Sequence, residues 1–171
     1  MASGTSERIL IELLHGKGAH ADPVACIEDI TADLAGRKAA AIPHSIWQIV
    51  WHMNYWMDYE LKRIRGEAPG YPGHASESWP PESAQPSEEG WSQAVARFSA
   101  LLEGLGALAR ATDDVLSRQV SATHAVHSQQ SSSVLGVLWQ IIAHNSYHVG
   151  QIAMVRRALG SWPPRRGGDS W

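Results

Sequence analysis

Two histidines four residues apart, His144 and His148, have the types and spacing that most directly indicate chemistry in this sequence. They lie in the stretch 133–159, where apolar residues recur at the three- and four-residue intervals of an α-helix. Positions four apart on a helix differ by only about 40° in direction and by roughly 6 Å along the axis, so both imidazoles can reach one point. The pair lies on or beside the apolar stripe, where two imidazoles are costly unless they share a metal ion or good hydrogen-bond partners. The spacing therefore predicts a metal site.

A third ligand is available on another helix. His52 lies near the middle of the periodic stretch 45–66, on the side of that helix that faces inward. Zinc, nickel and iron all accept neutral imidazole nitrogens, so we expect one divalent metal ion on His52, His144 and His148. Three protein ligands leave coordination positions open, as in reactive sites rather than structural ones. A set of hydrogen-bonded core histidines without a metal remains the alternative.

Two other kinds of metal site fit the residues poorly. A zinc protease needs His-Glu-x-x-His with the glutamate as general base, but Asn145 follows His144 here. A di-iron bundle needs two Glu-x-x-His pairs and two further glutamates. Only Glu12 and His15 make such a pair, and the last helix has no carboxylate in its centre.

The periodic stretches predict an all-α protein, a four-helix bundle in a single domain over residues 1–171. Its first helix is predicted to be broken by the glycines at 16 and 18, with a second piece over residues 24–34. The remaining helices are predicted over residues 45–66, 87–112 and 133–159. Residues 113–132 are predicted as a loop with at most a short helical turn, and no strand is expected.

The segment 67–86 is rich in proline and glycine and has no helical or strand periodicity. It is long for a connection between two helices, which indicates a lid or the edge of a binding pocket.

Composition limits the classes of partner. The formal net charge is −3 and there is no basic block, which argues against nucleic-acid binding. The single cysteine, Cys26, is interpreted as a buried small hydrophobic residue, and the lack of any disulfide pair favours a reducing cytoplasm. No signal-peptide pattern and no apolar run near the ~20 residues of a membrane span occur. Apolar residues off the core stripes, such as Trp47, Trp51 and Trp139, predict a homodimer.

The stretch HSIWQIVWHMNYW, followed far downstream by HNSYHVGQ, resembles the DinB-like (DinB/YfiT) superfamily of bacterial metal-binding four-helix bundles. The resemblance covers nearly the whole chain, and it implies that the family's metal triad corresponds to His52, His144 and His148. Some branches replace one histidine by a carboxylate, whereas all three positions are histidine here. Members include thiol-dependent S-transferases that use bacillithiol or mycothiol, and maleylpyruvate isomerase.

These observations lead to three functional hypotheses. The first is a metal-dependent S-transferase that activates a small thiol toward a small electrophile, with a single divalent ion (zinc, nickel or iron) as cofactor. The second is a non-catalytic metal-binding or stress-response bundle, and the third is a metal-dependent hydrolase that uses bound water. The sequence identifies neither the metal nor the thiol nor the electrophile.

Several further residues lie close to the predicted ligands along the chain. Gln48 and Gln151 are each about one turn from a ligand and are candidate hydrogen-bond partners, and Trp56 is a candidate pocket wall. Gly150 is expected to allow close approach of a neighbouring helix. The sequence assigns no role to three other histidines: His20, His124 and His127.

Overall fold

The computed structural model describes residues 3–17, 19–40, 42–121 and 132–166. The four long helices are α1 (Ser3–Leu14), α4 (Ile46–Ile64), α5 (Glu88–Ala109) and α7 (Val134–Ala158). Three short helices lie between them: α2 (Ala25–Glu28), α3 (Ala32–Gly36) and α6 (Asp113–Ser117). A single 3₁₀ turn covers Ala75–Ser78. The prediction of an all-α helical bundle is confirmed.

The long helices share one core. Helix α4 packs against both α5 and α7, and α1 also packs against α5 and α7. The apolar stripe predicted for α7 is buried, as is the stripe of α4 that carries Ile46, Val50, Met53 and Met57. Burial of these side chains, worth about 1.5–3 kcal/mol each, holds α4 and α7 side by side and fixes which of their faces meet.

The break in the first helical region is larger than predicted. Gly16 has a φ of 74°, which favours glycine, and a side chain there would meet the backbone oxygen of His20 at 2.4 Å. The single piece predicted over 24–34 is wrong, because α2 ends at Glu28 and a new helix, α3, begins at Ala32. The side chain of Thr31 accepts a hydrogen bond from the N–H of Leu34 and so caps α3.

Helix α4 begins at the predicted capping box. Ser45 Oγ accepts from the N–H of Gln48, and the Gln48 side chain accepts from the N–H of Ser45. Gln48 also donates to the carbonyl of Glu82. Its side chain is therefore committed to the helix start and the following loop, and the prediction that it partners a histidine is wrong.

The connection between α5 and α7 contains a short strand pair that the sequence does not predict. Strands β1 (Gln119–Val120) and β2 (Ser132–Ser133) pair antiparallel, with Gln119 opposite Ser133. Two residues per strand are too few to show alternation. Residues 122–131, which follow β1, lie outside the described residues.

A buried arginine fastens the end of α7 to the region of α2. The Arg156 side chain is 2% exposed and donates to the carboxylate of Asp29 at 2.7 Å and to the carbonyl of Cys26 at 2.8 Å. It also donates to the carbonyl of Ser161 at 2.7 Å. Each nitrogen of the guanidinium thus donates a hydrogen bond, and the bonds to Asp29 and Cys26 hold the region of α2 against the last helix.

None of the helices in the described residues combines the length and the apolarity of a membrane span.

Candidate metal centre

The three predicted histidines converge between α4 and α7. One potential ligand atom from each of His52, His144 and His148 lies within 4.8 Å of the other two. His52 Nε2 and His144 Nε2 are 3.2 Å apart. Two nitrogens bonded to one ion at about 2.1 Å and separated by an angle of ~100° would be about 3.2 Å apart. The spacing of this pair therefore fits shared coordination of a single ion.

The ring of His52 is oriented by the loop that follows α4. Its Nδ1 lies 3.0 Å from Ser78 Oγ and 3.3 Å from the carbonyl of Ser78. Ser78 Oγ donates its own proton to the carbonyl of Ala75, so both Ser78 oxygens act as acceptors toward His52. Nδ1 therefore carries the proton, and Nε2 presents its lone pair to the other two histidines.

The ring of His148 is oriented by its own helix. Its Nδ1 donates to Gln151 Oε1 at 2.7 Å, and Gln151 Nε2 donates to the hydroxyl of Tyr147 at 3.1 Å. The prediction that Gln151 is a hydrogen-bond partner of a predicted ligand histidine is confirmed. This contact leaves Nε2 of His148 with a free lone pair, as a metal ligand requires.

His144 is the least constrained of the three. Its Nδ1 is buried and has no hydrogen-bond partner among the described residues, and the same is true of Oδ1 of the adjacent Asn145. The Asn145 amide donates instead to Met57 Sδ at 3.3 Å. The polar interactions of the His144 ring are the Nε2 contact to His52 and the nearby side chain of Asn145. No hydrogen bond at Nδ1 fixes the orientation of this ring among the described residues.

Burial keeps all three rings neutral. It lowers the pKa of His52 to about 3, with smaller contributions from the nearby His148 and His144. Burial likewise lowers the pKa of His148 to about 4, and it lowers the pKa of His144. Metal ligands must be unprotonated, so the cluster is in its ligand form at neutral pH.

Aromatic side chains enclose the His52 ring. Trp79 stacks on it with ring centroids 3.9 Å apart, and the far face of Trp79 stacks on His44 at the same distance. Trp56 approaches His52 edge-on, with ring centroids 6.3 Å apart. These rings replace water around the ligand and restrict its rotation.

Ser78 and Trp79 are the site residues that the sequence did not identify. Both belong to the proline-rich segment 67–86, which lies against His52 and forms an edge of the site. The length and composition of this segment indicate that it borders a pocket. A loop has no periodicity, however, so the sequence does not show which of its residues point toward His52.

The structure does not bring His20 to the cluster. His20 Nδ1 lies 2.8 Å from the carbonyl of Ala21, and His20 is not among the residues that could share a metal. His124 and His127 lie outside the described residues. The expectation for Gly150 is wrong, because no atom lies within 4 Å of where its side chain would begin.

We expect Gln151→Leu to weaken metal affinity by about 10- to 100-fold, because the ring of His148 loses the acceptor that fixes its proton on Nδ1. Competition against a chromogenic chelator measures this affinity. Gln93→Leu, an exposed glutamine on α5 that bonds Glu89, is the matched control and should bind metal as the wild type does. Equal affinity in all three proteins would show that Gln151 does not support the ligand.

The sequence was compared with protein-family models, with curated proteins and with solved structures. A family model described as the DinB superfamily matches residues 18–152. No curated protein and no solved structure matched. The matched region runs from the glycine break after α1 into α7 and contains all three histidines of the cluster. The chain belongs to the DinB superfamily.

Proposed function

We propose that this protein binds one divalent metal ion through His52, His144 and His148 and uses it in a thiol-dependent S-transferase reaction. One observation carries the proposal: three neutral imidazoles converge in a buried site, and no fourth His, Cys, Asp or Glu joins them among the described residues. A structural zinc site would have four protein ligands. Three neutral ligands also leave the full positive charge of the ion uncompensated.

The donor set favours a particular class of co-ligand. Imidazole nitrogen suits zinc, nickel and iron, and these are the metals we propose. His52, His144 and His148 would hold such an ion, and its charge would lower the pKa of a small thiol and favour the thiolate at neutral pH. A thiolate is also a better nucleophile than hydroxide toward soft electrophiles, which favours transfer over hydrolysis.

The protein's own residues set the environment of that reaction. Trp79 and Trp56 exclude water from one side of His52, which strengthens every electrostatic interaction at the site. Ser78 and Gln151 hold the rings of His52 and His148 in the orientation that presents Nε2. Among the described residues no carboxylate joins the cluster as a candidate general base. Burial raises the pKa of the Cys26 thiol to about 12, so Cys26 is not a nucleophile.

The proposed reaction forms a carbon–sulfur bond between the small thiol and an electrophilic carbon. With a chlorinated acceptor the carbon–chlorine bond breaks, chloride leaves, and the thiol proton goes to solvent. The test is a panel of glutathione, cysteine, bacillithiol and mycothiol with a chromogenic haloarene, before and after treatment with a chelator. We expect turnover with at least one thiol, and we expect chelation to abolish it and added metal to restore it.

Other outcomes select other hypotheses. Stoichiometric metal without turnover on any thiol would contradict the transferase and favour a non-catalytic metal-binding bundle. Chelator-sensitive cleavage of an ester without any thiol would favour a hydrolase.

A further inference from the structure

Helix α7 has an exposed face as apolar as its buried one. Within 134–155 there is no Asp, Glu, Lys or Arg. The most exposed large apolar side chains on the helix are Trp139 (65%), Tyr147 (65%), Met154 (56%) and Leu135 (43%). Exposed positions 143 and 150 are alanine and glycine. At 3.6 residues per turn these six positions fall within an arc of about 120°, and we call them the α7 face. Half-buried Ser146 lies within the same arc, and exposed Arg157 continues it beyond Met154.

An apolar face of this kind on a helix of 25 residues indicates that something covers it. The helix is about 37 Å long, so its outer face and the groove beside it are on the order of the ~800 Å² that each partner buries in a standard interface. The six positions of the α7 face carry no charge, so the interaction is expected to rest on apolar contact between residues 135 and 154. An apolar partner of similar length fits this face.

The α7 face is complementary to itself. The midpoint of positions 135 and 154 lies between residues 144 and 145, and positions 139 and 150 have the same midpoint. An antiparallel, two-fold pairing of two such helices about this midpoint therefore sets Leu135 against Met154 and Trp139 against Gly150 at the same time. The largest side chain on the face meets the smallest, where no atom lies within 4 Å of a possible side chain.

A cleft beside Gly150 can receive the partner's indole. The cleft has a volume of about 670 Å³, and its walls include Tyr147, Met154, Ile42 and Trp162. Arg157 also lines the cleft, with its guanidinium over the Trp162 ring at 4.6 Å. A Trp anchor in an apolar pocket near the centre of an interface is the usual origin of most of the binding energy. We propose that a second copy of this chain docks antiparallel on the α7 face, with Trp139 of each copy seated against Gly150 of the other.

In this proposal the α7 face is the interface of the homodimer that the sequence predicts. Trp47, which contributed to that prediction, is buried within the chain and does not take part. Trp51 is exposed, but it lies on α4 rather than on the α7 face. The dimer does not depend on the proposed catalytic function.

Sedimentation velocity of the full chain tests the proposal with three single variants. Wild type should be a dimer at micromolar concentration. Trp139→Ala and Gly150→Leu should raise the dimer dissociation constant by at least ~30-fold, and Trp51→Ala should leave it unchanged. Gly150→Leu places a side chain in the receiving slot, its Cβ meets no atom of its own chain within 4 Å, and the substitution removes a helix-interior glycine. Its monomer should therefore melt no lower than wild type, which separates loss of docking from loss of folding.

The orientation has its own test. In the double variant Leu135→Cys with Met154→Cys the two thiols of one chain are roughly 28 Å apart along α7 and cannot bond to each other. Mild oxidation should give a covalent dimer from the double variant and none from either single variant. A monomeric wild type, a dimeric Gly150→Leu, a monomeric Trp51→Ala, or failure of the double variant to cross-link would each overturn the proposal.

Discussion

Replacing His144 by alanine is expected to lower the rate of thiol conjugation by at least ~10²-fold. The variant leaves two imidazoles, His52 and His148, which are too few to retain a divalent ion through purification. Without the ion the thiol pKa returns to its usual range, and several kcal/mol of charge stabilisation are lost. The measurement is kcat/KM for the most active thiol in the panel, with the metal content of each preparation determined in parallel.

The matched control for this variant is His15→Ala. His15 is half-exposed at the end of α1, lies near Asp22 and is not part of the cluster. It should keep wild-type metal content and rate, so a loss confined to His144→Ala cannot be attributed to removal of any histidine. Equal rates for wild type, chelated protein and His144→Ala would defeat the transferase proposal.

The largest expected effect on stability comes from Asp29→Ala, at about 3 kcal/mol. The substitution leaves the guanidinium of Arg156 buried without its counter-charge, and it also removes the acceptor for the backbone N–H of Arg165. Breaking one partner of a buried pair is costly because the remaining charge cannot be hydrated. Urea unfolding monitored by circular dichroism gives the difference in free energy of unfolding.

The control is Asp33→Ala, which removes an exposed pair with Arg37 and should change the free energy of unfolding by less than about 0.5 kcal/mol.

The pH dependence of the free energy of unfolding gives a second test of Asp29. Burial raises its pKa, but the hydrogen bonds from Arg156 and from Arg165 N–H outweigh burial and hold the pKa below 3.8. A lowered carboxyl pKa contributes stability above the unfolded-state pKa, and this contribution is lost as the pH falls through the folded-state value. The difference between wild type and Asp29→Ala should therefore shrink below pH 3.8. Equal effects of the two substitutions would contradict the account of Arg156.

The sequence predicted the helices and the histidine cluster because both depend on regular local spacing. The ends of α4 follow from Ser45 and Gln48 at its start and from Gly66, whose φ is 85°, just past its end. His144 and His148 are brought together by the helix itself. His52 joins them because an inward position near the middle of α4 meets an inward position near the middle of α7.

The features that could not be predicted depend on contacts between distant segments or on very short elements. Ser78 and Trp79 lie on the His52 ring because the 67–86 loop turns back on α4, and nothing local in the loop sequence encodes that return. The division of the 24–34 piece depends on a cap at Thr31 that competes with a helical pattern. A glycine at position 150 fits either close contact with a neighbouring helix or an open space on the surface. The sequence cannot distinguish the two, because the outcome depends on how distant segments pack around it.

Metal binding by the three histidines is tested most directly by the metal content of the purified protein, measured by plasma mass spectrometry together with an X-ray absorption spectrum of the bound metal. We expect one divalent ion per chain with nitrogen ligands at about 2.0–2.2 Å. We also expect a sharp loss of metal in His52→Ala, His144→Ala and His148→Ala, with the helical circular dichroism spectrum retained. A folded triple variant that still holds one ion per chain would show that the metal is bound elsewhere and that these histidines are not its ligands.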